Sequence, residues 1–274
     1  MRILTILFLV CSISMQAQVI SGTLFSKEDN QPIPYAKIGI QKENIGTITN
    51  ENGEFTIDLT EVNPTAIIMI DVAGYELFTE NKQEFSLHQN RKIFLEEEIT
   101  ELSEIVIAPK AMIDKNWGVK TKSKSVVYEV NPKNNENNHN IETAFQFNTK
   151  KKAKINTIHL NVASIESDQP VVLRYTIYNE KDGFPDKNIL DEELTFELTQ
   201  EKLVDGTFSI DLTDQNIWVQ GKFFVAIHFL NQFDGQVLIS ASLFRTGYIR
   251  EFYGDWKKTV IAAPAINIDV KVEK

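Results

Sequence analysis

"GTITNENGEFTID", residues 46–58, places two short runs of strand character on either side of a polar turn. Thr47 and Thr49 end the first run, and Phe55, Ile57 and Leu59 share one face of the second. Asn and Gly tolerate a positive φ, so Asn50, Asn52 and Gly53 supply the reversal. "NENG" also imitates the middle of a calcium loop, but that loop needs an acidic first ligand and a terminal Glu, where Ile48 and Leu59 stand.

Working outward, "VISGTLF", "PYAKIGI", "TAIIMIDV", "YELFTE" and "RKIFLE" alternate with turn chemistry in "KEDNQP", "NP" and "AGY". Ile38 and Ile40 follow a period of two, and "AIIMI" reads as a central strand. No helical period appears between Val19 and Ile107. Seven short strands in this stretch predict a small β-sandwich.

The stretch from Val19 to Leu59 resembles the carboxypeptidase regulatory-like domain, whose fold is transthyretin-like. The matching features are Gly22, Pro32 and Pro34 before Ala36, Gly46, the Thr49-Asn50 pair, the Gly53-x-Phe55 turn and, later, Gly74-Tyr75. The usual pattern has Asp where Asn50 and Asn52 stand. The resemblance implies an accessory domain and no peptidase activity. "ELSEIVIAPK", residues 101–110, resembles the segment with which TonB-dependent receptors enter their plug. Only 274 − 107 = 167 residues follow Ile107, too few for a barrel receptor that can need about 22 strands.

A second region of strong alternation begins near Ile141. Its predicted inward rows are Ile158, Leu160 and Val162; Val171, Leu173, Tyr175 and Ile177; Phe223, Val225, Ile227 and Phe229; Val237, Ile239, Ala241 and Leu243; and Ile266, Ile268, Val270 and Val272. About eight to ten strands of this kind predict a jelly-roll-like sandwich. "RYTIYNEKDGFPDKNIL", "FSIDL", "FFVAIHFL" and "SASLF" are similar to the C-terminal half of a group of exported bacterial proteins that pair such a sandwich with a regulatory-like domain. That group carries no established activity. The expected fold class is therefore all-β: an N-terminal transthyretin-like β-sandwich and a C-terminal jelly-roll-like β-sandwich. The expected organisation is a signal peptide at 1–17, a regulatory-like domain at 18–107, a polar linker at 108–140 and the second sandwich at 141–274. Five lysines (110, 115, 120, 122 and 124) and the tract "NPKNNENNHN" mark the linker.

The leader "MRILTILFLVCSISMQAQ" has one positive charge, a short apolar run and a small residue, Ala17, at the expected cleavage point. The run is too short to span a bilayer, which takes about 20 apolar residues, and no later segment spans as a helix. The expected location is exported, in the periplasm or at the outer membrane or cell surface of a Gram-negative bacterium. Cys11 is the only cysteine, so a chain cut after Ala17 has no disulfide and no thiolate site. The formal charge of −10 becomes −11 without Arg2, which speaks against nucleic-acid binding.

No catalytic motif appears, and no cofactor is expected. His139 and Glu142 match an H-x-x-E zinc pair, but a third ligand would have to be His159 or His228, which face away from the apolar rows onto a sheet surface. Asp191 to Glu193 and Glu96 to Glu98 read as solvated charge. Asn179, Asp182 and Asp186 read as a turn, with calcium the rival. The expected ligand-binding residues are Tyr248, Tyr253 and Trp256 with Arg245, together with Trp218, because sandwich domains bind glycans or peptides on exposed aromatics. Three functions stay open: a non-enzymatic envelope protein binding a glycan or an envelope protein, an accessory of a TonB-dependent uptake system, and a zinc peptidase relative.

Overall fold

The computed structural model describes residues 18–98, 111–132 and 140–274. The leader, the receptor-like segment 101–110 and His139 lie outside the described residues. The described residues are nearly all β and carry two large hydrophobic cores and a smaller cluster of Ala144, Tyr178, Phe224, Ala226 and Tyr248.

The first core belongs to seven strands: β1 (Val19–Ser26), β2 (Lys37–Ile40), β3 (Gly46–Ile48), β4 (Glu54–Asp58), β5 (Ile67–Ile70), β6 (Phe78–Asn81) and β7 (Asn90–Leu95). They form two sheets, in the orders β4-β1-β7 and β3-β2-β5-β6. The opening stretch is thus not a hairpin within one sheet. Its turn carries the chain from β3 in one layer to β4 in the other. Asn50 holds it: its Oδ1 accepts from the N–H groups of Asn52 and Glu54, both at 2.9 Å, and Gly53 adopts φ +71°. Thr49 fixes the corner from inside, accepting from the Ala36 N–H at 2.8 Å and donating to the Ile33 carbonyl at 2.9 Å. Phe55, Ile57 and Leu59 then enter the core. One short helix, α1 (Lys82–Phe85), sits where no helical period was read; the Asn81 side chain caps it, and four residues are too few to show a period.

The second core is enclosed by thirteen connected strands. The first two are β8 (Met112–Gly118) and β9 (Val127–Val130), and both lie inside the stretch read as a polar linker. β8 pairs with the strand at Ile266–Glu273, and β9 pairs with the strand at Gly235–Leu243. Ile113, Trp117 and Tyr128 pack on the core while the lysines between them face out; β9 falls in "SVVYEV", a strand-like run expected to pair with the second sandwich, whereas the charged composition concealed β8.

The spine is β10 (Ile141–Ser167), 27 residues long. Around it stand β11 (Val171–Lys181), β12 (Phe184–Asn188), β13 (Leu194–Leu198), β14 (Thr207–Asp211), β15 (Trp218–Phe229), β16 (Gly235–Leu243), β17 (Gly247–Glu251), β18 (Lys257–Thr259), β19 (Ala262–Pro264) and β20 (Ile266–Glu273). The N-terminal half of β10 lies between β15 and β17; further along it pairs with β20 and β14, and its end pairs with β16. Irregularities between Thr149 and Ala153, and between Ile155 and Thr157, bend it. The predicted rows on β10, β11, β15 and β20 all face this core. Leu243 does not: it is 46% exposed, because the strand ends there and Phe244 turns the chain at φ +58°.

Candidate functional site

The outer face of the β11–β15–β10–β17 layer carries an ordered set of side chains. Strand register sets Arg174, His228, Glu142 and Arg250 in one cross-strand row. The next row is Thr176, Ala226, Ala144 and Tyr248. The two alanines leave room above the sheet, and the Tyr178 hydroxyl donates to Glu142 Oε1 at 2.6 Å. Arg250 Nε donates to Glu142 Oε2 at 2.8 Å, and Arg250 Nη2 donates to the Tyr178 oxygen at 2.7 Å.

The N-terminal unit closes over this row. Lys37, on β2, reaches Glu142 at 3.4 Å and lies 4.7 Å from the centre of the Tyr253 ring. Arg174 Nη2 donates to the Tyr35 carbonyl at 2.6 Å, and Arg174 also pairs with Glu193. The Tyr253 hydroxyl donates to the Lys37 carbonyl at 2.8 Å and accepts from the Asp71 N–H at 2.9 Å. Glu193 accepts from the Ala73 N–H at 2.9 Å. Two glycines form the landing surface: a Cβ on Gly46 would lie 2.5 Å from the Phe252 ring, and one on Gly39 would lie 2.8 Å from the Tyr253 ring. The Gly of the opening stretch is therefore where the second unit sits against the first.

Burial sets the electrostatics. Burial alone would raise the Glu142 carboxyl, but Arg250 and Lys37 outweigh it and hold the group ionised, well below the usual carboxylate range. Lys37 is pushed down to about 8 by burial and by the like charge of Arg250, against the attraction of Glu142. His228 is pushed down to about 3, chiefly by burial, and is neutral at physiological pH. Burial raises Tyr178 and Tyr253 above the usual phenol range. Three cationic side chains converge on Glu142 and Glu193; Lys37 and Arg174 cross between the units, and Arg250 holds Glu142 and Tyr178 within the second.

Beside this cluster, a groove of about 420 Å³ opens along the junction. Tyr35, Asn50 and Glu51 line it from the first unit, and Gln169, Asn231 and Gln232 from the second. Tyr35 is a bulky residue at φ +57°, a conformation that costs energy and needs support; the Arg174 bond to its carbonyl supplies that support. The groove is polar, with one half-buried aromatic ring.

The family model for the CarboxypepD_reg-like domain matches residues 20–107. This is a non-catalytic regulatory fold, and here its β2–β3 face meets the second sandwich. No curated protein matches the chain. Among solved structures, the shaft pilin SpaA from Lactobacillus rhamnosus GG is similar at 12% identity, with 91% of this chain and 94% of that chain covered and a TM-score of 0.22. The major pilin subunit BcpA of Bacillus cereus is similar at 10% identity, with 94% and 69% covered and a TM-score of 0.20. The infectious bursal disease virus Gx strain structure is similar at 9% identity, with 93% and 64% covered and a TM-score of 0.27. Likenesses of this size carry no conclusion about function.

The predicted aromatic surface does not assemble. Tyr248 is buried, edge-on to Phe224 and Phe184. Tyr253 is a pin between the CarboxypepD_reg-like domain and the second sandwich. Trp256 packs edge-on to Tyr178 at 5.8 Å, under the Arg250 guanidinium at 4.5 Å. Trp218 begins β15 with Lys152 over its ring, and Arg245 is exposed on a separate loop. His228 does face away from the apolar row, but that face is covered by the CarboxypepD_reg-like domain and His228 is buried. His159 bonds Ser209 and Asp269. Glu193, read as solvated charge, belongs to the junction. Glu142 is engaged by Arg250, Lys37 and Tyr178 and is not offered to a metal. Asn179 accepts from the Lys187 N–H in the turn made by Asp182 and Gly183, both at positive φ. Among the described residues, no helix is long and apolar enough to cross a membrane.

Proposed function

We propose that the protein is a non-enzymatic interaction module of the Gram-negative cell envelope, with its ligand seat in the junction groove. The observation that carries this reading is the use of the buried charges. The side chains that would be recruited for acid–base work, Lys37, Glu142, His228 and Tyr178, are enclosed between the two units, and Glu142 is held by Lys37, Tyr178 and Arg250. The cluster fixes the angle between the CarboxypepD_reg-like domain and the second sandwich, and that angle shapes the groove.

The groove pairs one aromatic ring, Tyr35, with the amides of Asn50, Gln169, Asn231 and Gln232. A ring for stacking and amides for hydroxyl recognition suit a glycan of the envelope. The test is an envelope-glycan array followed by titration of any hit against Tyr35→Ala and Gln232→Ala. Binding is expected to weaken at least about tenfold in each variant, the loss of one stacking or hydrogen-bonding anchor, with the thermal midpoint unchanged. An array with no hit, or a hit indifferent to both substitutions, sinks the proposal.

A further inference from the structure

Two loops at one end of the second sandwich present apolar side chains to solvent. Leu243 ends β16 and Phe244 follows it, and Val260 and Ile261 join β18 to β19. Phe244, Ile261 and Val260 are 92%, 75% and 71% exposed. The Phe244 N–H donates to the Ile261 carbonyl at 2.9 Å, so the two loops form one tip. The tip is fixed from beneath: the Tyr128 hydroxyl donates to the Ala262 carbonyl at 2.5 Å, and Thr259 Oγ1 donates to the same oxygen at 3.2 Å. Phe244 stands at φ +58°, a costly conformation for a bulky residue. A solvent-exposed ring held in such a backbone gains nothing from folding alone, which points to contact with another surface.

The two tip loops carry cations, while Glu251 and Asp255, between the two loops in sequence, share a recess with Lys257. Residues 235–250 and 256–268 contain no Asp or Glu, in a chain of formal charge −10. Arg245, Lys257 and Lys258 are exposed on these loops and the adjoining β18. The tip is made of paired loops. An apolar point with the exposed cations Arg245 and Lys257 beside it in sequence fits a bilayer interface with anionic headgroups: the ring and aliphatic chains enter the acyl boundary while the cations meet phosphates.

We propose that Leu243, Phe244, Val260 and Ile261 form a peripheral membrane-docking tip selective for anionic lipid. This reading goes beyond the junction groove and does not rest on it. The experiment is co-sedimentation of the purified protein with vesicles of phosphatidylcholine alone and of phosphatidylcholine mixed with phosphatidylglycerol. Binding is expected only to the mixed vesicles and is expected to weaken as salt is added. The double variant Phe244→Ser/Ile261→Ser is expected to bind at least about tenfold more weakly, since two apolar insertions are lost. Arg245→Glu is expected to abolish the preference for anionic vesicles, and both variants are expected to keep the wild-type thermal midpoint. No binding to the mixed vesicles overturns the proposal, as does equal binding by the wild type and the double variant. Sedimentation velocity without vesicles guards against another occupant: a dimer abolished by the double variant would assign the tip to a second copy of the chain and overturn the lipid assignment.

Discussion

Replacing Glu142 by Gln should show how strongly the junction depends on one charge. The carboxylate is shared by Arg250 Nε at 2.8 Å, Lys37 Nζ at 3.4 Å and the Tyr178 hydroxyl at 2.6 Å. Gln keeps the shape and one acceptor oxygen but leaves Arg250 and Lys37 buried with like charge. Removing one partner of a buried ion pair typically costs about 3–5 kcal/mol. With a urea slope of about 2–3 kcal/mol per molar, the unfolding midpoint should fall by roughly 1–2.5 M. Lys37→Met alone should cost little, about 1 kcal/mol or less, because Glu142 still has Arg250. Joined to Glu142→Gln, it should recover about 1–3 kcal/mol by removing one stranded cation. The assay is equilibrium urea unfolding of the four proteins. A cost below about 1 kcal/mol for Glu142→Gln, or strict additivity of the two substitutions, would refute the view that these charges are mutually dependent.

Three further outcomes follow from the same junction. His228 is held at about 3, so below the ordinary value of 6.5 the unfolded chain takes up a proton that the folded chain refuses. Stability should therefore fall as pH drops from about 6.5 towards 3, by up to about 1.4 kcal/mol per pH unit, and His228→Asn should flatten the profile between about 6.5 and 4.5, above the usual titration of Glu142. Gly46→Val should cost about 1–3 kcal/mol by overpacking against Phe252 and the Ile38 carbonyl, read as a lower thermal midpoint, whereas an unchanged midpoint would mean that the ring is free to move. Tyr253→Phe should cost about 1–2 kcal/mol for the lost hydroxyl bonds and should speed amide exchange in β2 and at Asp71 while leaving exchange in β20 unchanged.

Much of the fold was legible because period-two patterning reports directly which side of a strand is apolar. The rows on β11, β15 and β20 show this, as do the strands of the CarboxypepD_reg-like domain. The same signal was silent about the opposite face. His228 read as lying on a sheet surface, since nothing in its spacing says that a second unit covers it and the Arg174, Glu142 and Arg250 of its row. Ala144 and Ala226, side by side in one cross-strand row, pack with Tyr178, Phe224 and Tyr248 of the same unit. In β8, Lys115 between Ile113 and Trp117 masked a half-buried strand behind linker-like composition. The aromatics of "TGYIREFYGDW" read as an exposed binding surface, but Tyr253, Trp256 and Tyr248 serve the junction or the face beside it. Tyr35 and the amides of the groove come from distant segments, and only the fold brings them together.

The length of β10 has a temporal consequence. Five of its neighbours, β14 to β17 and β20, lie downstream of it, the last ending at Glu273. Until that stretch emerges from the ribosome or a translocation pore, the spine has open edges and nothing to zip against. Assembly must wait for distant segments to find one another, which makes it slow and leaves a long adhesive ribbon that a holdase would have to shield.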